Sequence, residues 1–491
     1  MTTNMVYALD VLAVAFSVLW LRSWLRSRRR NPRGLPLPPG PKRVPIIGNV
    51  IDMPLTDQAA TIFEWGEKYG DMIYVEIIGQ PMLFLNAYTD AVELLDKRSL
   101  WYSDRPTFPM SGELLDCEWL PVMIRYDERF KTHRQFMHRH CQAKVCHNYL
   151  PTQTKAARTF IRQLLDKPHD CERHARRAAA ATIMMAAYGH ESKNANPNVG
   201  VPPNWKHRKK LLWKETITWL SLTEPWNPGH KRPYPENISS TSYRVKYVPA
   251  WFPGAQFKKG RQNLEPISKG YAYRGLWNDN AKNCAFMILI VDGTARQSMM
   301  SGLVEICTRP DGTIRDEDII SACTAVCYGA GTDTTAATMM SFILALLLYP
   351  DVQTRGQEEI DRVIGHGRLP TFDDRDKLPY IEGIVREALR WNPVLPLIIP
   401  HRSMKDDFYK GYFIPAGTQV IVNHWAISHN EVEYPDPARF WPERWMPGGC
   451  SENSTHPAKV AFGFGRRYSL DLSRTTLRDQ LGANHSASSF K

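Results

Sequence analysis

The stretch Phe462-Gly463-Phe464-Gly465-Arg466-Arg467-Tyr468-Ser469 decides how the chain is read. Its two glycines let the backbone turn tightly, and the turn delivers two arginines and then a serine. Three further patterns precede it in order. Ala330-Gly331-Thr332-Asp333-Thr334-Thr335 is an A-G-x-D-T-T inside a long apolar segment, Glu387-Ala388-Leu389-Arg390 is an E-x-x-R, and Pro442-Glu443-Arg444-Trp445 is a P-E-R-W. Each is weak alone; their joint occurrence in this order in one chain carries the weight.

Together they resemble the cytochrome P-450 monooxygenases, specifically the membrane-bound fungal branch that oxidises secondary metabolites. In that family the loop reads F-x-x-G-x-R-x-C-x-G: glycines turn the backbone under a porphyrin, the arginine meets a propionate, and the cysteine thiolate ligates the haem iron. Here Ser469 stands at the cysteine position and Asp471 at that of the last glycine. Patches of resemblance run from the N-terminus to about residue 191, over 246–262, and from about 293 to 467. The resemblance implies one large unit, mainly α with small β-sheets, of cytochrome P-450 type and incomplete at the C-terminus. Family chains continue past the cysteine with another helix, whereas this one ends at Lys491.

The 491 residues could make two or three ordinary domains, and the 43% hydrophobic content can bury a core. The net charge of +12 would suit nucleic acid if it were spread over a face. It is instead concentrated: Arg22, Arg26, Arg28, Arg29, Arg30, Arg33, Lys42 and Arg43 fall in one short acid-free stretch. That stretch follows the apolar run Met5 to Leu21, with Trp20 and Trp24 at its end. The expectation is a single-pass N-terminal membrane anchor with the body facing the cytosol, not a nucleic-acid binder. A span needs roughly 17 to 25 residues, so this run is marginal, and Asp10 weakens it. A cleaved signal peptide would carry its cations first, and a mitochondrial presequence would be arginine-rich throughout. Nine cysteines without a C-x-x-C form neither a disulfide nor a metal pattern. Cys323 and Cys327, four apart, are read as small buried apolar residues rather than ligands.

Expected boundaries are an anchor with its basic flank over 1–30, a proline-rich hinge over 31–45, the catalytic body over 46–467 and a non-family tail over 468–491. Leu35-Pro36-Leu37-Pro38-Pro39-Gly40-Pro41 cannot be helical. Residues 73–85 alternate as two short strands about Gly79-Gln80. From Asp316 to Tyr349 a helical pattern runs up to Pro350 with Asp333 as its only formal charge after Ile319. The glycines around Asp333 suggest a core helix locally opened there, with a second membrane span as the alternative. Residues 192–244 and 263–292 depart abruptly from their neighbours, as a retained intron or shifted reading frame would produce, or else as true divergence.

The resemblance assigns roles by position. Asp333 and Thr334 occupy the acid–alcohol positions that relay protons to iron-bound oxygen. Lys131 and Arg134, in Phe130-Lys131-Thr132-His133-Arg134, and His401 and Arg467 are expected to meet the haem propionates. Glu387, Arg390 and Arg444 should lock the surrounding loops. The expected cofactor is haem, with electrons from NADPH through a cytochrome reductase at the endoplasmic reticulum membrane, and the substrate a lipophilic small molecule. With Ser469 in place of the thiolate no metal ligand is assigned, and Cys450, before the loop, is only a remote replacement. The alternatives are a catalytically incompetent protein, a misread gene, or a basic membrane-tethered interaction protein.

Overall fold

A computed structural model describes residues 30–54, 56–108, 118–191, 296–450 and 454–469. The expected anchor up to residue 29, both atypical stretches, the 246–262 patch and the tail from residue 470 lie outside the described residues.

Alternation of apolar residues builds the main sheet. Met72–Ile77 (β1) and Gln80–Leu85 (β2) pair antiparallel, with Ile73 opposite Phe84. The turn between them uses left-handed backbone at Ile78 (φ 49°) and Gly79 (φ 75°), the conformation a two-residue hairpin needs. His401–Arg402 (β3) and Gln419–Val422 (β6) complete the sheet in the order β1-β2-β6-β3, with β6 parallel to β2. Asp407–Tyr409 (β4) and Tyr412–Ile414 (β5) form a separate hairpin. The period of two splits the sheet into two buried faces. Ile73, Val75, Phe84 and Ile421 pack with Ile62, which lies on Gln58–Tyr69 (α1). Met72, Leu83, Leu85, Val420 and Val422 pack with Leu94, Leu95, Tyr102 and Phe464. The glycine-rich loop is therefore seated on the sheet through Phe464.

The proline segment docks along both sheets. Tyr74 N–H donates to Pro39 O at 2.8 Å and Phe413 N–H to Pro36 O at 2.8 Å.

Helices supply the other half of the core: Glu128–His140 (α2), Leu150–Asp166 (α3), Cys171–Tyr188 (α4), Met299–Cys307 (α5), Glu317–Leu348 (α6), Pro350–Val363 (α7) and Pro379–Trp391 (α8). At 32 residues α6 is about 48 Å long. It is long and apolar enough to cross a membrane by composition alone. Its first half is buried instead against protein, with Ile320 and Cys323 in one cluster with Met299 and Leu303 of α5. Cys327 packs at the edge of the same cluster, as expected of a small apolar side chain.

The expected opening of the long helix at its glycines is absent. The helix runs without a break through Gly329 and Gly331. A Cβ on Gly331 would lie 2.7 Å from Ile183 Cδ1, so this glycine lets α4 approach α6 closely rather than opening the turn.

Candidate functional site

The E-x-x-R and P-E-R-W patterns meet. On α8, Arg390 donates to both carboxylate oxygens of Glu387, at 3.0 and 2.7 Å. Arg444 Nε donates to Glu387 Oε1 at 3.1 Å. Trp441 N–H and Trp445 Nε1–H add bonds of 3.0 and 2.9 Å to the same carboxylate. All three charged side chains are fully buried. Two cations against one anion leave a surplus charge, which is spread over the carbonyls of Ser428, Arg439, Pro435 and Asp436. Such a group is costly to break and well suited to fixing loops. Cys450 Sγ lies 3.9 Å from Arg444 Nη1, so the structure places it beside this cluster.

The 462–469 loop is closed on itself and anchored at both flanks. Ser469 N–H donates to Phe462 O at 2.7 Å. Gly465, at φ 57°, donates its N–H to the Asp96 carboxylate. A Cβ there would lie 2.1 Å from Leu95 O, so glycine is required. Tyr468 packs against the cluster shared by α5 and α6, and its carbonyl accepts from Arg134 Nη1 at 2.8 Å.

Beside the loop lies a concentration of positive charge. Arg467 donates to the carbonyls of Ser103, Pro121 and Ile124 at 2.7, 3.2 and 2.6 Å. Arg105, 4% exposed, donates to those of Val122, Ile399 and Pro400. Among the described residues no carboxylate hydrogen-bonds either guanidinium. Burial, and then the neighbouring Arg105 charge, bring Arg467 down to about 8, and burial brings Arg105 down to about 9. His401 is buried with Nδ1 2.8 Å from Tyr102 O, and burial with the Arg105 charge holds it well below the usual imidazole range. Asp104, whose charge reaches both guanidiniums, is ion-paired with Arg125 and Arg402.

The structure thus brings Arg134, His401 and Arg467 to one region. Lys131 is half exposed and paired with Glu128 one turn back on α2. Arg105 was missed by sequence reasoning: it lies on an irregular segment, and its partners are carbonyls remote in sequence, so no spacing announces it. Asp333 is buried and ion-paired with Arg176 of α4, which also holds Glu172. Thr334 is half exposed, and its hydroxyl donates to Ala330 O at 2.7 Å. Ala330 itself is exposed midway along the central helix.

Residues 38–230 and 281–468 match the profile of the family described as Cytochrome P-450. The chain belongs to the cytochrome P-450 family. A curated relative, Cytochrome P-450 monooxygenase COX1 of Coprinopsis cinerea, is 36% identical over 95% of this chain and 86% of its own length. Cytochrome P-450 monooxygenase 208 of Postia placenta is 35% identical over 89% and 80%. A zebrafish cytochrome P-450 solved with progesterone superposes with a TM-score of 0.62 at 20% identity, covering 86% of this chain and 90% of that one. That likeness bears on the fold alone.

A cytochrome P-450 fold implies haem, and the residues meet that group unevenly. A buried and a partly buried guanidinium whose described hydrogen bonds all run to carbonyls suit the two propionates of a porphyrin. The ligand position does not suit the iron: Ser469 offers a hydroxyl, a far weaker acid than the thiol whose thiolate supports O–O cleavage.

Proposed function

We propose that the protein is by lineage a membrane-tethered monooxygenase of the endoplasmic reticulum, inserting one oxygen atom into a lipophilic small molecule in fungal secondary metabolism or xenobiotic oxidation. Its electrons would come from NADPH through a membrane reductase. The observation that supports this reading is the cradle of buried Arg105, partly buried Arg467 and neutral His401 beside a closed glycine loop. Arg134 borders that cradle, and Lys131 could join it only by leaving Glu128. Asp333 and Thr334 are the proposed proton-relay pair, with Arg176 holding the acid in reserve. An anchor over 1–30 would tether the body to the bilayer.

A second reading is favoured by Ser469: the chain as written is catalytically incompetent, whether a true non-catalytic member or a misread gene. Haem content and the carbon monoxide difference spectrum of the purified full chain separate the two. A red-shifted, thiolate-type Soret band supports the monooxygenase reading for this chain. Its absence, with that band appearing in Ser469→Cys, supports the incompetent reading.

A further inference from the structure

We infer that the pocket of this chain holds a porphyrin by its two carboxylates and not by its metal, so that metal-free protoporphyrin is as good a ligand as haem. The inference rests on reading the cradle as the family's haem pocket. Arg105 is buried and Arg467 partly buried, and all the hydrogen bonds described for them run to the carbonyls of Val122, Ile399, Pro400, Ser103, Pro121 and Ile124. Carbonyls satisfy the directions of the N–H groups but carry no net charge, so two like charges are offset only at longer range, by the Asp104 and Asp127 carboxylates, and for Arg467 by the Phe130 ring. A ligand carrying two carboxylates compensates both.

Among the described residues no thiol is offered to the metal. Ser469 is held by its own backbone bond to Phe462 O, with a neutral hydroxyl as its side chain. Every described cysteine is accounted for elsewhere. Cys141, Cys146, Cys307 and Cys323 sit in helix clusters. Cys171 contacts Met340, Cys327 contacts Met299, and Cys450 lies against Arg444. No described thiol stands ready to replace the missing ligand.

The test titrates the unaltered full chain, in detergent, with haemin, protoporphyrin IX and protoporphyrin IX dimethyl ester, following quenching of tryptophan fluorescence. Haemin and protoporphyrin IX should bind within about tenfold of each other, and the uncharged ester more than about tenfold weaker, since it forfeits the charge-assisted bonds. Haemin binding more than about tenfold tighter than the free base means the iron has found a ligand, which overturns the inference. Equal binding of the ester means the hold is apolar, which also overturns it. Running Ser469→Cys alongside separates this inference from the lineage reading. A haemin preference that arises only with the cysteine supports both. If the cysteine produces none, the lineage reading of the pocket fails, while the ester comparison still decides the present one. If no porphyrin binds either chain, both fall.

Discussion

The guanidinium carbon of Arg467 lies 3.7 Å from the centroid of the Phe130 ring. A cation from the glycine loop thus rests on an aromatic face supplied by α2, which is the favourable arrangement for a desolvated charge. The contact ties the loop to the helix that also carries Arg134.

Arg467→Ala removes this stacking and leaves three main-chain carbonyls without their donor. A loss of about 3 kcal/mol is expected from buried acceptors left unmade, whereas Phe130→Leu, which keeps the donors, should cost about 1 kcal/mol. Denaturant titration followed by tryptophan fluorescence measures both. Equal losses would mean that the stacking, and not the carbonyl bonds, holds the loop.

Glu387→Ala should be among the most damaging single changes, because it strands Arg390 and Arg444, both fully buried. Breaking a buried pair from one side costs about 3 to 5 kcal/mol. Trp445→Phe removes one bond of 2.9 Å to the same carboxylate and should cost only about 1 kcal/mol. The yield of soluble folded protein is a sufficient readout. Normal yield for Glu387→Ala would refute a structural role for the cluster.

The parts legible in the sequence are those whose cause is local or patterned. Alternation placed the β1–β2 hairpin, and the apolar run closed by Pro350 placed α6. The Glu387–Arg390 spacing put both on one helix face, and the resemblance supplied Arg444 as their partner. What escaped depends on long-range approach. Gly331 looked like a helix opening and is a packing glycine, because Ile183 comes from a helix far away in sequence. Arg105 and Arg176 act through partners that no local pattern links to them. Lys131 adds a pairing that the resemblance did not give: Glu128, three residues earlier, is its ion-pair partner.

Two glycines should respond differently to the same substitution. In Gly465→Ala the new Cβ meets a main-chain oxygen, Leu95 O, at 2.1 Å and a left-handed φ of 57°, so a loss of about 2 to 3 kcal/mol is expected from strain and overpacking. In Gly331→Ala it meets the tip of the Ile183 side chain at 2.7 Å, which can rotate, and about 1 kcal/mol should suffice. Melting temperatures of the two variants decide it. A larger drop for Gly331→Ala would mean that α4 and α6 cannot yield at their contact.

Acid should destabilise the protein through buried histidines. Burial lowers His424 to about 4 and His456 to about 4, and burial with the Arg390 charge lowers His429 to about 3. Unfolded, each titrates near 6.5, so between the two values the unfolded state binds the additional proton. Their contribution is complete above about 6.5 and is lost as pH falls towards the folded values, at up to ~1.4 kcal/mol per pH unit for each. Stability measured from pH 7 to pH 4.5 should fall, and His424→Gln should flatten the slope. A flat profile in the wild-type chain would show that these rings are not held neutral.

The final expectation concerns the gene. Through Tyr468 the loop has the family's pattern and its own hydrogen bonds, with Gly465 held on Asp96 and Leu95 and with Arg467 in the cradle. The match to the family profile also runs to residue 468. At the next position the ligand cysteine is replaced by Ser469, and two further on the glycine is replaced by Asp471. Point mutations accumulating in an idle protein would erode the cradle, the loop glycines and the buried Glu387 cluster along with the ligand. An intact scaffold beside an abrupt change is what one splice or frame error produces. Sequencing the transcript across the Arg467 codon should therefore reveal R-x-C-x-G in another frame or beyond an intron. If the transcript instead encodes Tyr468, Ser469 and Asp471 as they stand, the chain is a true haem-loop variant, and the porphyrin comparison becomes the decisive measure of its pocket.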